Sequence, residues 1–344
     1  MRRVAVVVIS SLVALASVEA ALRIANRGYG NAPLLPDAVL HHAHPRNYQF
    51  LNYDPASEYG GHIVRYDADG VTVDLSGAAR AASSRYRTAI MGDSFAEATQ
   101  VSYTRTFAGI LAAGSAGRAE VRNFGVSSYS PLLYYLQWNI QVQAFHPTRV
   151  FVLLYSNDVT DDETYMALAT RGPNGMPVAV PGPQFARVTR YFRSLYAARL
   201  ASLRYLRASF WLKNRRAPQT GGVGEYIEEN REIAPLTDAM LTALVQAIRR
   251  SGSEVLLSAV PSKLRVLNPS SAPPDPQFSD RCREWATAKG IPFVDLVPAF
   301  ACAQAEGRPM FFRRDIHGPS RVMPWRGMRY AARSARRSVV NSPW

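Results

Sequence analysis

Lysine is nearly absent from this 344-residue chain: there are three, against 37 arginines. A high-GC genome produces that bias without any selection for charge. Cysteine is scarce as well, with only Cys282 and Cys302. Two thiols exclude a disulfide-stapled scaffold; they leave open one disulfide or two buried free thiols. No nucleic-acid-binding motif and no internal repeat is present. The G-x-S-x-G turn that exposes a nucleophilic serine in many α/β enzymes is also missing, since GVSSY at 125–129 lacks the final glycine.

What is present is ample apolar content, 47%, and a net charge of +14. The apolar share excludes a disordered chain. The charge is local. Residues 187–216 hold nine basic side chains and no acid, and residues 318–344 hold six arginines and no acid. The remainder is close to neutral, so a general nucleic-acid field is excluded. Two basic segments fit a membrane surface or an anionic polymer better.

The N-terminus, MRRVAVVVISSLVALASVEAALRIANRG, places Arg2 and Arg3 before an apolar run of about 19 residues, enough to span a bilayer. The arginines predict a cytoplasmic N-terminus and an exported body. The expectation is an uncleaved anchor over residues 1–25. The competing reading is a signal peptide cut after Val18-Glu19-Ala20, with the body secreted.

Residues 26–85 read as a β-rich segment, with HHAH at 41–44 and a DADG turn between VRY and VTVDL. HHAH is expected to be a solvated loop rather than a metal site. From residue 86, strand and helix alternate. RTAIMGDS, EVRNFGVSS, RVFVLLYSND, EVLLSAVPS and IPFVDL read as strands. TFAGILAAG, PLLYYLQWNIQVQAF (opening on Pro131), TDAMLTALVQAIRRSG (Thr237 as N-cap) and DRCREWATAKG read as helices. Short links between them predict a parallel α/β sheet covered on both faces. Residues 160–236 break the alternation and are expected to be an insertion or lid. Within it, RYFRSLYAARLASLRYLRASFWLK reads as a helix, with Phe192, Leu195, Leu203, Leu206 and Phe210 on one side. It is expected to pack half-buried on the core, with an interfacial helix on an anionic membrane as the sharper alternative.

Ligands of open α/β sheets bind at the carboxyl ends of the strands. After the first strand stand Gly92, Asp93 and Ser94; after the second, Asn123, Phe124 and Gly125; after the third, Ser156, Asn157 and Asp158. Asp315 and His317 follow in RRDIHGPS. Together these supply a nucleophile, a base, an orienting carboxylate and oxyanion donors. Among the six histidines, three sit in HHAH, His62 lies near the hairpin, and His146 precedes Pro147 at the far edge of the sheet from Ser94. His317 is left as the base for Ser94, with Asp315 fixing its tautomer. The oxyanion donors assigned are the Ser94 and Gly125 N–H groups and the Asn157 side-chain amide.

The set GDSF, NFGVSS, YSND and DIH resembles the SGNH/GDSL hydrolase superfamily over roughly residues 86–317. Ser94, Gly125, Asn157 and His317 match its four naming residues, and Asp315 its triad acid. The resemblance implies a flavodoxin-like three-layer α/β/α sandwich with a central parallel sheet, here within residues 86–335. It implies hydrolysis of acyl esters, often acetyl, with no metal or cofactor. The substrate class would be an acylated carbohydrate or small ester. Some exported members that act on cell-surface polysaccharides are O-acetyltransferases, and a non-catalytic cell-envelope assembly protein could keep the same fold. Two features depart from the family. The acid and base are spaced D-x-H rather than D-x-x-H. The tail after His317 is Arg-rich, acid-free and weakly periodic where relatives carry a small-residue helix. It is a divergent extension or the product of a shifted reading frame.

Overall fold

A computed structural model describes residues 2–24, 34–53, 58–75, 86–183, 195–201, 204–205, 232–271, 276–312 and 317. Its centre is an eight-stranded sheet. The strands are β1 (Gln49–Tyr53), β2 (Gly60–Tyr66), β3 (Thr72–Val73), β4 (Tyr86–Gly92), β5 (Ala119–Asn123), β6 (Arg149–Leu154), β7 (Glu254–Ala259) and β8 (Phe293–Asp295). Their order across the sheet is β8-β7-β6-β4-β5-β3-β2-β1. β4 to β8 are parallel to one another. The first three strands are antiparallel and join through Thr72 opposite Asn123.

The central parallel strands β4 and β6 are apolar and buried over most of their length because both faces are covered, whereas β5 (AEVRN) is mostly half-buried and carries Glu120 and Arg122. Ala89, Met91, Val150, Val152 and Leu154 point into one buried cluster; Ile90, Phe151 and Leu153 point into the other. Alternation of side chains along a strand produces that division. The helices are α1 (Arg2–Ile24), α2 (Ser94–Glu97), α3 (Phe107–Gly114), α4 (Pro131–Gln137), α5 (Asp158–Leu168), α6 (Pro235–Arg250), α7 (Lys263–Leu267), α8 (Phe278–Ala288) and α9 (Val297–Ala305). α4, α5, α6 and α8 cover the first face, and α3, α7 and α9 cover the second. This is the expected three-layer α/β/α arrangement. The helical layer changes side on either side of β4, so the crevice at the end of β4 and β6 is the switch point where such sheets bind ligands.

Sequence expectations and structure part company in several places. Thr237 does not cap α6. Ala234 is the N-cap, Pro235 takes the first helical position that suits its missing N–H, and Thr237 is buried in the first turn. The helix from Pro131 is α-helical only to Gln137, then widens into a π turn over Trp138–Val142 and tightens over Gln143–Phe145. α5 and a two-stranded ribbon, Thr170–Arg171 with Pro177–Ala179, occupy the start of the segment read as an insertion. The HHAH loop is not solvated: His42 and His44 are 8% and 6% exposed. The DADG turn is a hairpin as expected. The Asp67 carboxylate accepts from the Asp69 and Val71 N–H groups, and Gly70 takes the left-handed conformation that favours glycine.

Cys282 is buried, Cys302 is exposed, and both thiols are free. α1 is the one helix among the described residues long and apolar enough to cross a membrane. Its Glu19 carboxylate accepts from the Tyr196 and Ala197 N–H groups at 3.1 and 2.8 Å, the start of a helix in the basic segment. Of the apolar residues read there, only Leu195 is described, and it is half-buried. The tail after His317 lies outside the described residues.

Candidate active site

Ser94 follows β4 at the first position of α2. The turn is built locally. Asp93 caps α2 by accepting the Phe95 N–H at 2.9 Å, and Ala98 closes the helix after one turn in the left-handed conformation. Gly92 is required by space: a Cβ there would lie 2.9 Å from the Leu153 carbonyl oxygen. The result is a half-buried serine held at the crest of the sheet.

His317 Nε2 lies 2.7 Å from Ser94 Oγ, across 223 residues of sequence. The imidazole rests against the Phe95 ring, centroids 4.7 Å apart, and Phe95 rests against Tyr155 at 4.5 Å. The approach of the histidine loop is fixed from below. The Phe312 N–H donates to the His317 carbonyl at 2.8 Å, and the buried Lys263 ammonium donates to the Phe312 carbonyl at 2.7 Å. Asp315 lies outside the described residues.

Gly125 sits on the loop after β5. That loop continues to pair with β4, through Phe124 N–H to the Ile90 carbonyl (2.8 Å) and Val126 N–H to the Gly92 carbonyl (3.1 Å). The Gly125 N–H donates to Asn123 Oδ1 at 3.0 Å, while Asn123 Nδ2 donates to the Ala96 carbonyl at 2.7 Å. Gln137 adds a donor to the Phe124 carbonyl at 2.9 Å. Asn157 stands at the N-cap of α5, where its Nδ2 donates to Asp161 at 2.8 Å. That amide nitrogen carries a second hydrogen. The Ser94 N–H makes no hydrogen bond among the described residues.

Beneath Ser94 and Asn157 the chain buries several carboxyl groups. Asp93, Asp158 and Asp162 are buried. Asp158 accepts from the Tyr134 hydroxyl at 3.2 Å and from the Tyr155 N–H at 3.1 Å. Burial pushes Asp93 up to about 7, opposed by the Phe95 hydrogen bond and the His317 charge. Burial pushes Asp158 well up too, and Asp93 and Asp162 add repulsion. Burial and mutual repulsion therefore act in the same direction, favouring the neutral carboxyl at these positions.

Of the residues assigned from sequence, the structure brings Ser94 and His317 into contact. Sequence reading did not find Glu97 or its partners. Glu97 lies at the end of α2, 1% exposed. Its Oε1 accepts from His44 Nε2 at 2.9 Å and from the Tyr66 hydroxyl at 3.0 Å; its Oε2 accepts from the Ser127 N–H at 2.9 Å and from the Ser127 hydroxyl. The only trace in the sequence is an acid three residues after the serine, which reads equally well as an ordinary first-turn acid.

The GDSL-like lipase/acylhydrolase family is matched over residues 90–318. No curated protein sequence matches the chain. Solved structures resemble it weakly. One is a protein from Desulfitobacterium hafniense described as lipolytic and of the G-D-S-L family, at 13% identity, covering 72% of this chain and 99% of its own, TM-score 0.41. Another is the acetyl xylan esterase AlAXEase, at 13% identity, 72% and 98% coverage, TM-score 0.40. A third is an acetyl-xylooligosaccharide esterase of Geobacillus stearothermophilus, at 16%, 74% and 94%, TM-score 0.39. The family match spans most of the chain and begins at the strand that delivers Ser94, and the chain belongs to the GDSL-like lipase/acylhydrolase family of ester hydrolases.

Proposed function

We propose that this chain is a membrane-anchored serine esterase that removes acyl groups, acetyl foremost, from an extracytoplasmic carbohydrate or lipid. The observation that carries it is the 2.7 Å contact between Ser94 Oγ and His317 Nε2. A free hydroxyl is a weak nucleophile, and an imidazole at hydrogen-bond distance is the base it needs. His317 takes the Ser94 proton as Oγ attacks the ester carbonyl. The tetrahedral oxyanion collapses, His317 returns the proton to the departing alcohol, and the acyl group stays on Ser94. Water, deprotonated by the same histidine, then releases the acid.

Asp315 is the carboxylate we assign to His317 Nδ1, since Nε2 is occupied by Ser94. It would hold the tautomer and stabilise the imidazolium. The oxyanion donors we assign are the Ser94 N–H, the second hydrogen of Asn157 Nδ2, and the Gly125 N–H, which must turn from Asn123 toward the substrate. Each such donor contributes about 3 kcal/mol to the transition state. Anchoring by α1 is supported by Glu19, whose carboxylate holds the helix that starts at Tyr196; cleavage after Ala20 would remove that cap.

The test is hydrolysis of a short-chain aryl acetate by the full chain in detergent. The Ser94→Ala protein is expected to lose at least about 10⁴-fold in kcat, and Asp315→Asn about 10²- to 10⁴-fold. A Ser94→Ala protein that retains its rate overturns the reading. A single burst of alcohol that turns over only when an oligosaccharide is added would mean that the acyl-enzyme passes to a sugar hydroxyl instead of water.

A further inference from the structure

The described part of the N-terminal β-rich segment, residues 34–53 and 58–75, reaches the active site through a buried polar cluster that the hydrolytic steps above do not use. Glu97 receives four hydrogen bonds from three different parts of the chain. His44 and Tyr66 come from the N-terminal strands and the loop before them. Ser127 comes from the loop that carries Gly125, two residues on. Glu97 itself is the fourth residue of the helix that Ser94 opens. His44 stacks flat on Tyr66, centroids 4.0 Å apart and planes within 9°, and its Nδ1 faces the Gly70 carbonyl at 3.0 Å. A second tie runs beside it. His42 Nε2 faces the Ser127 carbonyl at 2.7 Å, and the Tyr129 hydroxyl donates to the His42 carbonyl at 2.7 Å.

Burying a carboxylate this completely is costly unless its lone pairs are all filled. Burial alone would raise the Glu97 carboxyl. The His44 charge and the hydrogen bonds from His44, Ser127 and Tyr66 outweigh it and hold the group below its ordinary value. The spatial consequence matters more. The Gly125 loop lies directly against α2, with Gly125 facing the Glu97 N–H and the Ala96 carbonyl carbon. A carboxylate that grips both α2 and Ser127 sets the gap between the nucleophile and the loop.

We propose that Glu97 is a positioning residue of the esterase. It fixes the Gly125–Ser127 loop against the Ser94 helix, with His44 and Tyr66 of the N-terminal segment as its supports. The inference rests on the serine-esterase reading. It makes the HHAH segment a working part of the site and neither a metal site nor a spacer.

The experiment compares kcat and KM for aryl acetate hydrolysis across variants of the full chain, with thermal midpoints alongside and Ser94→Ala as the reference for the reading itself. Glu97→Ala is expected to lower kcat by about 10²-fold with KM within about threefold, the size of effect that a displacement near 1 Å produces. Glu97→Gln is expected to recover at least about tenfold of that loss, because its amide oxygen still accepts from Ser127 while its nitrogen can donate to the Tyr66 oxygen and to His44 Nε2, which accepts when the neutral ring donates from Nδ1 to the Gly70 carbonyl. Should Glu97→Ala fail to fold, Ser127→Ala removes one hydroxyl bond to the same carboxylate with little loss of volume; it is expected to cost about tenfold in kcat with a modest drop in midpoint, since the Ser127 N–H, His44 and Tyr66 bonds to Glu97 remain. The proposal is overturned if folded Glu97→Ala, or in its place Ser127→Ala, keeps kcat within about twofold of wild type, a change too small for a displaced site. It is overturned equally if glutamine recovers nothing over alanine. If Ser94→Ala keeps the wild-type rate, the esterase reading falls and this inference with it; if only Glu97→Ala is silent, the inference alone falls.

Discussion

Replacing His317 with alanine is expected to lower kcat for ester hydrolysis by about 10⁴-fold or more, about 5 kcal/mol of barrier. The reason is geometric. His317 Nε2 is 2.7 Å from Ser94 Oγ, and no other histidine stands there. His42 and His44 are committed to Ser127, Gly70 and Glu97. His62 faces the Thr99 carbonyl at 2.9 Å, and His146 sits at the start of β6, at the opposite end of the sheet. Serine and histidine act as a unit, so the Ser94→Ala/His317→Ala protein is expected to be no slower than either single variant. Steady-state rates of the four proteins check this. Losses that multiply would mean that the two residues act independently and are not nucleophile and base.

The Gly125→Ala protein is expected to lose about 10²-fold in kcat and about 1–3 kcal/mol of stability. Gly125 has no room for a side chain. A Cβ built on it would lie 2.5 Å from the Glu97 nitrogen, 2.7 Å from the Ala96 carbonyl carbon and 2.8 Å from the Ala96 Cβ. Two of those neighbours are backbone of α2, so no side-chain rotation relieves the clash. Either the loop moves away or the helix that holds Ser94 does, and both carry groups that the reaction needs in register. Kinetics together with a urea midpoint check the prediction. A variant with wild-type kcat would show that the loop and α2 are not held at a fixed spacing.

The strand-helix alternation from residue 86 onward was readable because buried parallel strands are apolar on both faces. Val150 to Leu154 shows this most plainly, since every residue in it is buried. Ser94 was singled out because it follows a buried strand, and His317 by elimination among six histidines; the structure places the two in contact. The ends of helices were less readable. Thr237 looks like an N-cap by type, but Pro235 two residues earlier starts α6 and leaves the threonine inside. The supports of the site were not readable at all. His44 and Glu97 are 53 residues apart and Glu97 and Ser127 thirty, and neither pair has a spacing that local structure imposes. The antiparallel attachment of β3 to β5, together with the His42 contacts to Ser127 and Tyr129, brings the HHAH loop back to the Gly125 loop. Histidines in a polar loop read as solvated until that attachment is known. The Gly125 N–H shows the same limit: sequence assigns it to an oxyanion, while the structure turns it toward Asn123.

The central claim is that Ser94 is an activated nucleophile, and covalent capture tests it most directly. The full chain would be treated with an alkyl fluorophosphonate, digested, and its peptides mapped by mass spectrometry. The expected result is one phosphonyl group on the peptide that contains Gly92, Asp93 and Ser94, with fluoride as the leaving group. The same peptide should remain unlabelled in Ser94→Ala, and should label far more slowly in His317→Ala. Equal labelling of the Ser94→Ala protein, or a wild-type protein labelled only at another serine, would contradict the claim.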